Sequence, residues 1–218
     1  MNFKVDLHTH SEASPDGGIK LEQYREILRQ NVLDCLAITD HNRIDLAASL
    51  QKEFNDKVIV GEEITTTAGE IIGLYLTLPI APNMSPQATV QAIKAQKGLV
   101  YIPHPFETVR SGIAKSTLEE IIDYVDIIEV HNGRAFFQNR GPEAAAFATL
   151  HQRVRAASSD AHGLKGLGTC YTLLDELPTK DTLMELMPKA KLIANRPPLQ
   201  TLLYPKFHRF AKKLRRNK

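Results

Sequence analysis

Val5-Asp6-Leu7-His8-Thr9-His10 opens the chain as an apolar strand that ends in two histidines. Side chains at i and i+2 of a strand share a face, so His8 and His10 can reach one point in space from rigid backbone. Two imidazoles converging at a strand end are one way to begin a Zn, Mn or Fe site. A His-x-His also arises by chance, and polar side chains satisfied at a strand end explain it equally well. The rest of the chain decides between the two.

The same arrangement recurs. Residues 33–40 form a second, largely apolar strand of the kind buried on both faces, and it ends in Thr39-Asp40-His41-Asn42. Val58-Ile59-Val60 runs into Gly61-Glu62-Glu63-Ile64, and residues 68–78 pair with it, carrying Glu70 at their start. Residues 99–102 end in Pro103-His104-Pro105-Phe106, residues 126–130 in Glu129-Val130-His131-Asn132-Gly133-Arg134, and residues 154–158 in Ser159-Asp160-Ala161-His162. A last short strand lies near 169–174. Helical spacing places helices between them: from Leu21 to Leu28, over 46–54, over 86–96 with Ser85 as cap and Pro86 in the first turn, over 116–124 with Ser116 as cap and Glu119 completing a capping box, over 142–151, near 180–189, and over 199–216. A turn-rich loop at 11–18 carries Asp16.

Strand and helix alternate about seven times, which argues a parallel α/β fold. Nearly every apolar strand ends in His, Asp or Glu, on the face where such folds build their sites. Ionisable groups beside apolar strands are costly unless paired or metal-bound. Bound divalent cations would supply the charge they share.

With those motifs in view, the set His8-Thr9-His10, Thr39-Asp40-His41, Gly61-Glu62-Glu63, Pro103-His104-Pro105 and Ser159-Asp160-Ala161-His162 resembles the polymerase-and-histidinol-phosphatase (PHP) family of metal-dependent phosphoesterases. The resemblance runs from residue 5 to about 175. It implies a distorted, TIM-like, seven-stranded β/α barrel over residues 1–198, with residues 199–218 as a basic amphipathic helix packed on it or trailing from it. It also implies two or three divalent cations (Mn, Fe or Zn) at the C-terminal ends of the strands. Carried over by position, His8, His10, Glu63 and Asp160 hold one cation. Glu63 bridges to a second, shared with His104, and Asp16, His41 and His162 hold a third. The family often places a histidine on the second cation where this chain has Glu70, a departure that carboxylate chemistry tolerates with Mn or Fe(II).

The expected reaction is hydrolysis of a phosphomonoester or phosphodiester, a nucleotide-derived one included. Water activated between two cations attacks in line, and Asp160, His162 or cation-bound water protonates the leaving group. Glu129, His131 and Asn132, in the family's Glu-x-x-Asn position, either touch substrate or support the ligands. Arg134 joins His131 and Asn132 as a candidate substrate-binding residue, an arginine at the mouth of a metal site being a natural phosphate clamp. Arg110, Arg140 and Lys165 are lesser candidates for that clamp. Asp40 reads as a partner that orients an imidazole, Glu62 as a structural residue facing away from Glu63, and His151 and His208 as surface residues. Phe106, Phe136 and Phe137 lie on strand-end loops where they either stack a base or pack beneath the loop. Only 33 residues separate Glu70 from His104, too few for an inserted lid, so the site should be open.

The apolar fraction of 43% and charged fraction of 24% are those of an ordinary globular chain of 218 residues. No stretch is long and apolar enough to span a membrane, and no signal peptide is apparent. Cys35 and Cys170 sit in apolar runs and read as reduced core residues of a cytoplasmic protein. Residues 206–218 hold seven cations and no acid, leaving 20 basic against 25 acidic residues elsewhere. Phe207, Phe210, Ala211 and Leu214 share one helical face, which should dock on the barrel; contact with nucleic acid or an anionic membrane is the other reading of this tail. Small phosphorylated molecules or short nucleic acids are the expected partners. Two rival functions stand beside the hydrolase: a catalytically idle PHP module that binds nucleic acid, and an amidohydrolase.

Overall fold

The computed structural model describes residues 2–216. Three strands, β1 (Phe3–Thr9), β2 (Cys35–Ile38) and β3 (Val58–Thr66), pair in parallel. β4 (Gly69–Leu74) is antiparallel to both β3 and β5 (Leu99–Ile102), and β6 (Ile127–Asn132) and β7 (Val154–Ser158) resume parallel pairing. β8 (Cys170–Leu174) runs antiparallel to β1, and β9 (Lys191–Ala194) antiparallel to β8. The order is β7-β6-β5-β4-β3-β2-β1-β8-β9.

This mixed sheet curls until it almost closes. β8 pairs with the N-terminal part of β1, from Phe3 to Val5. Beyond it, the Asp160 N–H donates to the His8 carbonyl and the His10 N–H to the Ala161 carbonyl, both at 2.9 Å, so the segment after β7 meets the end of β1. The sheet thus has nine strands rather than the expected seven, and it is not all parallel. The reversal at β4 follows from its connection: β3 ends at Thr66 and β4 begins at Gly69, too short a link for a parallel crossover. The unexpected β9 is a four-residue edge strand without fully buried side chains, so it leaves no hydrophobic pattern to read.

Among the described residues, seven α-helices accompany the strands: α1 (Leu21–Arg29), α2 (Asp45–Phe54), α3 (Pro86–Ala95), α4 (Lys115–Ile121), α5 (Gly141–Leu150), α6 (Leu183–Leu186) and α7 (Tyr204–Arg216). One hydrophobic cluster joins the helices to the sheet, with Tyr24, Leu28, Ala47, Leu50, Val90, Ile93, Leu118 and Phe147 against residues such as Leu36, Ile38, Val58 and Val60. A second cluster takes Val5, Leu7, Cys35, Ala37, Ile59, Ile72, Leu74, Tyr101, Ile127, Ala156 and Leu174 from eight strands, with Leu183 and Met187 beside them. Only a sheet curved around its own interior can gather eight strands into one cluster. Cys35 and Cys170 are buried and unbridged, and burial pushes both thiols up.

Alternation along the strands then places the polar residues. Ile59, Gly61 and Glu63 share one face of β3, apolar low in the barrel and acidic at its mouth. The same progression runs Cys35, Ala37, Thr39, His41 after β2, Ile127 to Glu129 in β6, and Ala156, Ser158, Asp160 after β7. Antiparallel β4 reads it backwards, with Glu70 near its start and Ile72 below.

Two helix ends differ from expectation. α3 is capped as read, the Ser85 hydroxyl accepting the Ala88 N–H at 3.2 Å. α4 starts at Lys115 behind Ala114, so Ser116 lies inside the helix and caps nothing. At the C-terminus a short 3₁₀ turn (Leu199–Leu203) precedes α7. The amphipathic face of α7 is also reversed: Phe207, Phe210 and Leu214 are 63%, 65% and 52% exposed, while Arg209 and Lys212 reach toward the barrel. No helix among the described residues is long and apolar enough to cross a membrane.

Candidate metal centre

β1 delivers its two histidines past an irregularity. Its pairing with β2 slips between Asp6 and Thr9, so His8 and His10 join the interior above Val5 and Leu7. Their Nε2 atoms lie 3.1 Å apart. His10 Nε2 is 3.1 Å from Glu63 Oε2 and 3.5 Å from Asp160 Oδ1, and His8 Nε2 is 3.5 and 3.6 Å from the same oxygens. Bonds of about 2.0–2.2 Å to one cation would separate neighbouring ligand atoms by about 3–3.5 Å. The four donors fit that cage. Every one of these residues is buried.

The other expected ligands cluster around it. Glu63 Oε1 faces His104 Nε2 at 3.2 Å, with Glu70 Oε2 3.9 Å from that nitrogen. Asp16 Oδ2 lies 3.4 Å from His162 Nε2 and 3.6 Å from His41 Nε2. His41 faces two ways, its Nδ1 lying 3.4 Å from Glu63 and 3.6 Å from Glu70. The groupings able to hold an ion are His8–His10–Glu63, His41–Glu63–Glu70, His8–His104–Asp160 and His10–Asp16–His41–His162.

The surroundings fix which imidazole nitrogens face inward. His8 Nδ1–H donates to Glu129 Oε1 at 3.2 Å, which turns Nε2 toward Glu63 and Asp160. His162 Nδ1–H donates to the Asp160 carbonyl at 2.9 Å, and its buried Nε2 has no hydrogen-bond partner. Glu129 also accepts from the Tyr101 hydroxyl (2.9 Å), the His104 N–H (2.7 Å) and Asn132 Nδ2 (2.8 Å). Glu129 is therefore the support of the cluster, and Asn132 serves with it: its oxygen takes the Arg134 N–H and Arg110 Nη1, both at 2.8 Å.

Burial and neighbouring charge pull the carboxyls of the cluster in opposite directions. Burial raises the Glu70 carboxyl to about 8, and the neighbouring Glu63 charge adds to the rise. Burial would raise Glu63 too, but His41 and His8 outweigh it and hold Glu63 well below the carboxylate range. Asp160 is likewise pulled down against burial by Arg134 and His8. Burial, with His10 and Arg134, lowers His162 to about 3, so its imidazole is neutral and able to ligate. Two of the expected ligands, His104 and Asp160, sit at φ of 29° and 50°, left-handed conformations that strain a side-chain-bearing residue.

The cluster floors a cavity of about 570 Å³. Arg134 Nη1 reaches both Asp160 oxygens at 3.2 Å, and Arg110 Nη1 reaches Asp160 Oδ2 at 2.5 Å while its other nitrogens hold the buried Glu107. Phe136 and Phe137 stand exposed at the rim, whereas Phe106 is buried against Phe147. Several expected residues are not brought to the site. His131 is exposed and away from the cavity, and Arg140 pairs with Glu143 at the surface. Lys165 is exposed on a 3₁₀ turn (Leu164–Gly166). Asp40 holds Ser11, through its N–H at 2.7 Å and hydroxyl at 2.5 Å, rather than an imidazole. Glu62 faces away as expected and accepts the Ile80 N–H at 2.8 Å. His151 is half-buried on the Phe147 ring, and His208 packs on Gly18 instead of lying free. Sequence reading missed Glu107, which no strand-end motif marks, and Lys206 and Arg209, which line the cavity from α7.

A nearly closed α/β barrel with a histidine–carboxylate cluster at its mouth defines a metal-site barrel. The chain matches the PHP domain over residues 6–154. It is 34% identical over 184 residues to the uncharacterized protein MJ0417 of Methanocaldococcus jannaschii, covering 80% of this chain and 72% of that one. It therefore belongs to the PHP family. Its fold is similar to a two-domain Bacteroides vulgatus protein containing a predicted PHP-like metal-dependent phosphoesterase, with a TM-score of 0.70 at 16% identity over 96% of this chain and 70% of that one. It is also similar to a lesion-specific endonuclease from Pyrococcus furiosus, with a TM-score of 0.66 at 15% identity over 88% of this chain and 58% of that one.

Proposed function

We propose that the protein is a metal-dependent hydrolase of phosphate esters. The observation that carries this reading is the cage of His8 Nε2, His10 Nε2, Glu63 Oε2 and Asp160 Oδ1, spaced 3.1–3.6 Å apart beneath an open cavity with two arginines on its wall. His8, His10, Glu63 and Asp160 would hold one divalent cation, Glu63, Glu70 and His104 a second, and Asp16, His41 and His162 a third. Such cations (Mn, Fe or Zn) supply Lewis acidity, which makes hydroxide available near neutral pH and draws charge from a phosphate.

The protein's own groups supply positioning. Glu129 holds the His8 ring, the His104 main chain and Asn132 in one frame. With the Asp160 charge shared with a cation, Arg134 and Arg110 would be available to a phosphate, whose oxygens a guanidinium meets in a matched two-point fork. Asp160 and His162, both held in their unprotonated forms, would orient a water at the leaving oxygen rather than supply its proton themselves. No nucleophilic side chain is needed, and both thiols are buried away from the cavity.

The cavity suits a nucleotide-sized ligand, and exposed Phe136 and Phe137 offer apolar surface for a base. The likeness to an endonuclease supports phosphodiesters of nucleic acid as one substrate class. The test is a panel of nucleotides, sugar phosphates, short oligonucleotides and aryl mono- and diesters with Mn²⁺ present. Turnover by the native chain, lost in Asp160→Asn, supports the reading. A panel left intact, or cleavage of amides alone, contradicts it.

A further inference from the structure

α7 is seated on the loops that carry Asp16 and His162. Lys212 Nζ donates to three main-chain carbonyls of the first loop, those of Glu12 at 2.8 Å, Ser14 at 2.5 Å and Gly17 at 2.7 Å. An ammonium has three protons, and all three are spent on this loop. One turn back along the helix, Arg209 Nη2 donates to Asp16 Oδ2 at 2.8 Å. The other Asp16 oxygen accepts from the Ser14 hydroxyl at 2.9 Å.

The helix sits close on both loops. A Cβ on Gly18 would fall 2.1 Å from the His208 ring, and one on Gly163 would fall 2.4 Å from the Tyr204 ring. The two loops are also tied to each other, the Gly18 N–H donating to the His162 carbonyl at 3.0 Å. The start of the first loop has its own anchors, with Ser11 on Asp40 and the Ala13 carbonyl on Arg43 at 3.1 Å. Past Ala13, the carbonyls of Ser14 and Gly17 on either side of Asp16 are held by Lys212.

We propose that Lys212 is a positioning residue for the cation subsite formed by Asp16, His41 and His162. This rests on the reading of those three residues as ligands. By gathering the carbonyls on both sides of Asp16, Lys212 holds Asp16 Oδ2 at 3.4 Å from His162 Nε2 and 3.6 Å from His41 Nε2. Arg209 steadies the same carboxylate, whose oxygen keeps a lone pair for a cation. The C-terminal helix is then part of the metal centre rather than an appendage, although it contributes no ligand.

The sign of the effect separates this from simple electrostatics. Lys212 is a cation near a cation site, so removing its charge should strengthen metal binding on Coulomb grounds alone. Loss of its clamp should weaken it, by about 10–100-fold as for other groups that orient ligands. The experiment is calorimetric titration of the chelator-stripped full chain with Mn²⁺, comparing wild type, Lys212→Met and Lys213→Met. Lys213 is the exposed neighbour, so Lys213→Met removes the same charge without touching the clamp.

The expected result is three classes of site in wild type and Lys213→Met, with one class weakened at least about tenfold in Lys212→Met and the other two unchanged. Three undiminished classes in Lys212→Met, equal weakening of every class, a matching loss in Lys213→Met, or only two classes in wild type would each overturn the proposal. A wild-type chain that binds no Mn²⁺ would instead overturn the metal-dependent reading on which it rests. Circular dichroism of the stripped proteins distinguishes a lost subsite from a lost fold.

Discussion

Glu129 shows how one buried carboxylate can govern a centre it does not face with a free oxygen. It accepts from His8, Tyr101, the His104 main chain and Asn132, so its removal should loosen two ligands at once. Glu129→Gln is expected to lower Mn²⁺ affinity about 10–100-fold with little change in fold, as read by calorimetry and circular dichroism; unchanged affinity would mean that His8 is held by packing alone. Asp160→Asn should remove turnover altogether, because it strips charge from the cage that would hold a cation. Arg134→Ala should lower kcat/KM by about 10–100-fold, the worth of a charge-assisted hydrogen bond at 1.5–3 kcal/mol. Arg134→Lys should recover only part of that, since it restores charge without the fork.

At the scale of elements, the centre depends on strands that are apolar below and ionisable above. Ile59 lies in the barrel interior two residues before Gly61 and four before Glu63. Ile59→Ala should cost about 2–5 kcal/mol, lowering the melting temperature by several degrees at about 2–4 °C per kcal/mol for a chain of this size. A drop below one degree would mean that the interior collapses around the gap. Strand-end motifs were legible because alternation and polarity agree there. The strand over 154–158 was read with the bounds it has, and His8, His10, Glu63, His104 and Asp160 meet as their motifs suggested. What was illegible had physical reasons. The orientation of α7 could not be read because both of its faces could be buried: long cations can lie over a polar loop as readily as phenylalanines can lie over a barrel. Asp40 reads as holding an imidazole because it adjoins His41, but adjacency in sequence does not say which main-chain N–H a carboxylate will find. His131 ends a strand and so reads toward the substrate, yet the pairing of β6 with β7 slips between Glu129 and His131, which breaks the two-residue alternation and leaves His131 exposed.

Across the whole molecule, the centre concentrates Asp16, Glu63, Glu70, Glu129 and Asp160 within buried or half-buried space, balanced by imidazoles and two arginines. Cations that bind the folded chain and not the unfolded one should stabilise it by about 2.7 kcal/mol at a hundredfold excess over their dissociation constant. Stripping with chelator should therefore lower the melting temperature, and Mn²⁺ should restore it. The same cations are the centre of the functional account, and the most direct measurement follows them to chemistry. Chelator-stripped protein is titrated with Mn²⁺ while hydrolysis of an aryl phosphate is recorded. The account predicts no turnover in the stripped protein and a rise that saturates at two or three equivalents per chain. Turnover that survives stripping, or none at any Mn²⁺ concentration with a panel of phosphate esters, would contradict it.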